Sequence, residues 1–101
     1  MEHAEYCICT DTEGDKQIAT GWCSVVAIAV FSDGVNNPEF SLHDGTAGTD
    51  PAPFASVAFK ATDLDYKGIT LAFRGDFYDG IYFNHVGGAN YQVTVWFIRN
   101  Q

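Results

Sequence analysis

The chain has 101 residues, 47% apolar and 18% charged, which is material for one hydrophobic core and too little length for two. Its net charge of −8, with five basic residues in all, provides no Lys/Arg cluster to bind nucleic acid or an anionic membrane surface. No apolar run reaches the ~18 residues of a membrane span, and the start Met1-Glu2-His3-Ala4-Glu5 lacks the basic-then-apolar order of a secretory signal.

Glu5–Thr10 predicts a short strand with Cys7 and Cys9 on the same face. Asp11-Thr12-Glu13-Gly14-Asp15 is a polar turn, and Lys16–Thr20 continues as a brief edge strand. Residues 1–20 also fit an N-terminal arm that reaches a neighbour, and about the first 15 of them a flexible tail. Without a signal, three cysteines are expected as reduced thiols of a cytosol. A Cys-x-Cys pair can begin a metal site, yet only Cys23 and distant histidines remain to complete four soft ligands. Buried or half-buried thiols are the expectation.

Trp22–Phe31 is the most apolar run, β-branched and flanked by Gly21 and Ser32-Asp33-Gly34 without a capping signal, so it predicts a central strand. Asp33–Asn37 is a turn. Glu39–Leu42 follows as a strand, with Phe40 and Leu42 on one face and Glu39, Ser41 and His43 on the other. Asp44–Pro51 is a loop of small and turn-forming residues. Phe54–Lys60 predicts a strand that buries Ala55, Val57 and Phe59 and turns Phe54 to the opposite face. After a bend at Asp63–Gly68, Ile69, Leu71 and Phe73 alternate with Thr70, Ala72 and Arg74.

Gly75–Asp79 leads into Asp79–Phe97, which reads as two antiparallel strands joined through Gly87-Gly88. In its second strand Tyr91, Val93, Val95 and Phe97 share one face, and Gln92, Thr94 and Trp96 the other. Seven or eight short strands, turn signals every 8 to 12 residues and no helical periodicity predict one all-β domain. The expected form is an antiparallel β-sandwich, Greek-key or jelly-roll in arrangement. Apolar runs on both faces leave the strand order open.

His43-Asp44 and His85 are the first residues to inspect for chemistry, but neither has a nucleophile and an orienting group in the sequence around it. Cys23 and Ser24 fall inside the most buried strand. Gly-x-Ser-x-Gly, His-Glu-x-x-His and phosphate-binding glycine loops are missing, so the histidines are expected at turns and on the surface, and no enzyme activity or cofactor is expected. Asp33, Asn36, Asn37, Asp44 and Asp50 are oxygen donors without EF-hand spacing, and Asx-turns account for them. The aromatics lead further. With Val93 and Val95 inward, Trp96 faces out; with Ile81 and Phe83 inward, so does Tyr82, and Phe54 joins them. Such surplus apolar surface marks an oligomer contact or a binding site unless a second sheet or the N-terminal segment covers it. Trp96 and Tyr82 could also stack on a glycan.

Gly21-Trp22 through Phe31, the turn Asp33–Asn37, and Phe40-Ser41-Leu42-His43-Asp44-Gly45-Thr46 follow one another in an order that resembles a family of small β-sandwich proteins encoded among tailed-phage structural genes. Gly80-Ile81-Tyr82-Phe83, Gly87-Gly88 and Val93-Thr94-Val95-Trp96-Phe97 extend the likeness, which covers about four-fifths of the chain. The cysteine-bearing N-terminal segment departs from the pattern. The resemblance implies a virion component assembled in the host cytoplasm: a capsid decoration (cement) protein, or a subunit of a head fibre, neck or tail. It would act as a homo-oligomer, a trimer among the options, bound to the major capsid protein or another virion protein. Trp96, Tyr82 and Phe54 would then be interface residues. The other reading is a carbohydrate- or receptor-binding module of a tail fibre or cell surface.

Overall fold

The computed structural model of the chain describes residues 3–60 and 68–100. Within them the period-two stretches form nine strands: β1 (Ala4–Thr10), β2 (Lys16–Thr20), β3 (Cys23–Phe31), β4 (Glu39–Asp44), β5 (Phe54–Ala58), β6 (Ile69–Leu71), β7 (Gly75–Phe77), β8 (Gly80–Gly87) and β9 (Gln92–Arg99). The first sheet runs β1-β9-β3-β6, with β7 also on β3, and the second runs β2-β8-β4-β5; every pairing is antiparallel. β6 pairs Ile28–Val30 and β7 pairs Cys23–Val25, so the two share one position along β3.

Pairing is nested from the outside in: β1 with β9, β2 with β8, β3 with β6 and β7, β4 with β5. A four-plus-four ribbon folded over in this way is a jelly roll, one of the two sandwich forms expected. The bend expected at Asp63–Gly68 lies, but for Gly68, outside the described residues.

Inward residues of both sheets fill the space between them. Cys9, Val25, Ile28, Val30, Val93 and Val95 come from the first, and Phe40, Leu42, Ile81 and Phe83 from the second. Phe40 is the hub, with its ring within 6.4 Å of those of Phe54, Phe59, Phe83 and Tyr91. At ~25 cal/mol per Å² of apolar surface, burial of such rings is the main source of stability.

Two expectations are corrected here. β8 and β9 do not form a hairpin: β8 belongs to the second sheet and β9 to the first, and the chain arches between them. Gly88, at φ 87°, passes so close to Asn37 that a Cβ would collide with its carbonyl, and Asn90 adopts φ 53°. Phe54 does not face outward. It packs on the core, stacked on Phe40 at 5.4 Å and edge-on to Phe73 at 5.2 Å, while Ala55 is the exposed one. The cause is a register shift: Phe40 pairs with Val57 but Leu42 with Phe54, and the irregularity reverses the expected alternation. Phe59 packs inward as expected, and the Val57 side chain lies outside the described ones.

Candidate functional site

The outer face of the first sheet is where the chain leaves apolar surface unspent. Because Cys7, Val95 and Ile28, then Cys9, Val93 and Val30, align inward, the residues between them align outward. They form four rows across β1, β9 and β3: Ala4–Ile98–Ser24, Tyr6–Trp96–Ala27, Ile8–Thr94–Ala29 and Thr10–Gln92–Phe31. None of the side chains in these rows is charged, in a chain of net charge −8. Tyr6 is 65% exposed, Ile8 and Phe31 40% each, and Trp96 sits half-buried among them. The relief is uneven. Tyr6 and Ile8 stand up on β1, whereas on β3 Ala27 is half-buried and Ala29, like Thr94 beside it on β9, is already covered. A bulge at Val26 and a cleft of about 290 Å³ lined by Ser24, Arg74 and Asp76 mark one corner, where Ser24 Oγ donates to Asp76 Oδ1 at 2.7 Å.

The outer face of the second sheet is partly covered. Ser41 and His43 point outward from β4 as expected, with Tyr82 and Asn84 beside them on β8. The loop after β4 folds back over this face: Asp44 N donates to Pro51 O at 2.7 Å, and Gly48 lies against Asn84. His43 Nδ1 meets the Asp50 carbonyl at 2.7 Å, and Nε2 meets Ser41 Oγ at 2.7 Å. A carbonyl can only accept, so Nδ1 carries a proton, and in the neutral ring the Ser41 hydroxyl donates to Nε2. This is the order of a nucleophile, base and orienting group, but Ser41 is 3% and His43 8% exposed. The pair ties β4 to the loop that follows it. A surface position for His43 is therefore corrected: it is a buried, doubly bonded residue.

His85 is half-buried and shares a hydrogen bond of 2.5 Å with the Tyr91 hydroxyl. Cys9 and Cys23 are buried, Cys7 is half-buried, and all three are free thiols. Burial raises the Cys9 and Cys23 thiols above their usual pKa. Among the described residues no three His, Cys, Asp or Glu side chains gather as metal ligands. The acidic loops close bends, as the Asx-turn reading expects. Asp33 Oδ1 accepts from the Val35 and Asn36 amides, its Oδ2 from Asn36 and Asn90 side chains, and Asp50 Oδ2 from the Thr46 and Ala47 amides.

No family model, curated protein or solved structure matches this chain.

Of the three residues singled out by sequence, Trp96 lies at the centre of the exposed rows, Tyr82 on the opposite side of the sandwich, and Phe54 in the core margin. Tyr82 and Trp96 therefore cannot form one stacking platform, because β8 and β9 belong to different sheets. Tyr6, Ile8 and Phe31 were missed. The signal was present: they alternate with Cys7, Cys9 and Val30, and placing the thiols inward would have turned Tyr6 and Ile8 out. Trp22 and Tyr78 were missed too; they flank β3 and β7 as an exposed stacked pair with ring centroids 6.1 Å apart.

Proposed function

We propose that this protein is a non-enzymatic structural component of a phage virion, a capsid decoration (cement) protein that adheres to copies of itself and to the shell. The observation that supports this reading is the uncharged outer face of β1-β9-β3, with Trp96 at its centre. An uncharged face that exposes Tyr6, Ile8 and Phe31 on an otherwise acidic protein suits a surface that is covered in use. Symmetric self-association is the usual way to build such parts. A cement protein works by mass action, binding the assembled lattice and not its free subunits. The test is co-sedimentation with purified capsids. The wild-type chain should pellet with shells, and Trp96→Asp should remain soluble and folded while losing most of the pelleted fraction. Equal binding by both chains would refute the reading.

A second reading, a carbohydrate- or receptor-binding module, is favoured by Trp22 and Tyr78, both exposed and stacked, with Tyr78 next to Asp79 and two residues from Asp76 in sequence. Exposed rings stack on sugar C–H faces while carboxylates accept from hydroxyls. Retention on a glycan array that disappears with Trp22→Ala and survives Trp96→Asp would select it over the first.

A further inference from the structure

We infer that the protein pairs with a second copy of itself face to face, about a two-fold axis that runs parallel to the strands over β9. The inference rests on the reading that the chain self-associates, and it specifies how. Such an axis lies between the two outer faces, exchanges the positions of β1 and β3 and keeps every row at its own height. Tyr6 then lies over the partner's Ala27, and Ile8 over the partner's Ala29. Trp96 meets its own counterpart at the axis. In the Tyr6–Trp96–Ala27 row a large side chain on β1 therefore faces a half-buried alanine, and the contact occurs twice, as an isologous interface requires.

The packing distances agree. Neighbouring strands lie about 4.8 Å apart and stacked sheets about 10 Å apart. Away from the axis, where half-buried Trp96 meets its own copy, two exposed large residues opposed across that gap would force the sheets apart, and two alanines would leave a void. Large over small, as Tyr6 over Ala27, fills it. The broad side of the molecule spans 40 by 29 Å, room for the ~800 Å² that each partner buries in a standard stable interface.

Charge selects the same partner. Each copy carries −8, so two copies repel wherever their charged surfaces meet, and the uncharged rows are where they can approach. A cationic partner would gain nothing from this face. Salt, which screens like-charge repulsion, should strengthen the pair, whereas it would weaken a contact between opposite charges.

The experiment is light scattering on the full chain across a concentration series at low and high salt, with circular dichroism on each variant to confirm folding. The wild type should sit at twice the 11.1 kDa chain mass and hold together to lower concentration in high salt. Tyr6→Ala and Ala27→Tyr should each raise the dissociation constant about tenfold or more. The double exchange, which swaps ridge for trough, should restore it. A Trp22→Phe background leaves Trp96 as the reporter, and its emission should shift to the red on dilution. A closed trimer would overturn the two-fold packing and leave self-association standing; a monomer throughout would overturn both. A double exchange no better than the single variants would also overturn the row-to-row pairing. Should Ala27→Tyr fail to fold, Tyr6→Arg on the exposed edge strand tests the same contact, and a dimer unaffected by it would sink the proposal.

Discussion

The Tyr91 hydroxyl and His85 Nδ1 meet at 2.5 Å across the arch that carries the chain from the second sheet into the first. Their rings stack at 5.5 Å, and both ends of the arch are braced against the turn between β1 and β2. His85 N donates to Asp15 Oδ1 and Tyr91 N to Asp11 Oδ1. Removing the phenol oxygen in Tyr91→Phe leaves His85 Nδ1 without that partner and should cost roughly 1–2 kcal/mol. Urea denaturation should show a lower midpoint at an unchanged slope.

Alkali should unfold the protein by a defined route. Burial raises the Cys9 thiol, the Tyr91 phenol and the Cys23 thiol above their usual pKa, with Cys7 adding to the shift at Cys9 and Asp11 at Tyr91. A raised folded value means that the unfolded chain releases its proton first. The stability these groups contribute is complete below the unfolded thiol value near 8.5, and is lost progressively as pH rises past it and past the phenol value near 10. The urea midpoint should fall above about pH 9, and less steeply in Tyr91→Phe.

At the acid end Asp33 acts in the opposite sense. Hydrogen bonds from the Asn36 and Val35 amides hold its carboxyl well below the usual carboxylate range. Its contribution is present above the unfolded value of about 3.9 and disappears as pH falls below it. Asp33→Ala should remove that part of the acid transition and loosen the turn before β4, measured as faster amide exchange at Val35 and Asn36.

Ser41→Ala should release the loop that follows β4. His43 Nε2 would be left buried without its donor, at a cost of roughly 1–3 kcal/mol. The local readout is hydrogen exchange at the Thr46 and Ala47 amides, which now donate to Asp50. Faster exchange there, with the β9 amides unchanged, is the expected pattern.

Phe40→Ala removes the ring that four other aromatic rings pack around. Deletion of a buried phenylalanine costs about 3–5 kcal/mol, a large part of the ~5–15 kcal/mol that holds a domain together. Calorimetry should show a transition lowered by many degrees, or none.

The sandwich was legible because alternation is strict where it matters: Tyr91 just before β9, and Val93, Val95 and Phe97 on it, turn inward as the pattern predicts. The β8–β9 connection was not, since glycines signal a reversal without saying whether the chain returns beside itself or crosses to another sheet. Phe54 was misplaced because a bulge shifts register without a distinctive residue. The shared outward face of Ser41 and His43 could be read from their spacing, but not the return of a distant loop to cover them. For the exposed rows, Trp96 could be placed from β9 alone, whereas Tyr6 and Ala27 become its neighbours only once strand order is known.

The slot between β1 and β3 is filled by β9, the last strand in order. While the chain is being synthesised, β1 and β3 leave the ribosome early and wait for a partner that emerges more than sixty residues after β3 ends. At about 5–20 residues per second that is several seconds of exposed, unpaired apolar edge. The nascent chain is thus vulnerable at this edge until β9 has emerged. A ribosome stalled short of residue 92 would release a product with its central strand missing, prone to borrow that strand from a neighbour.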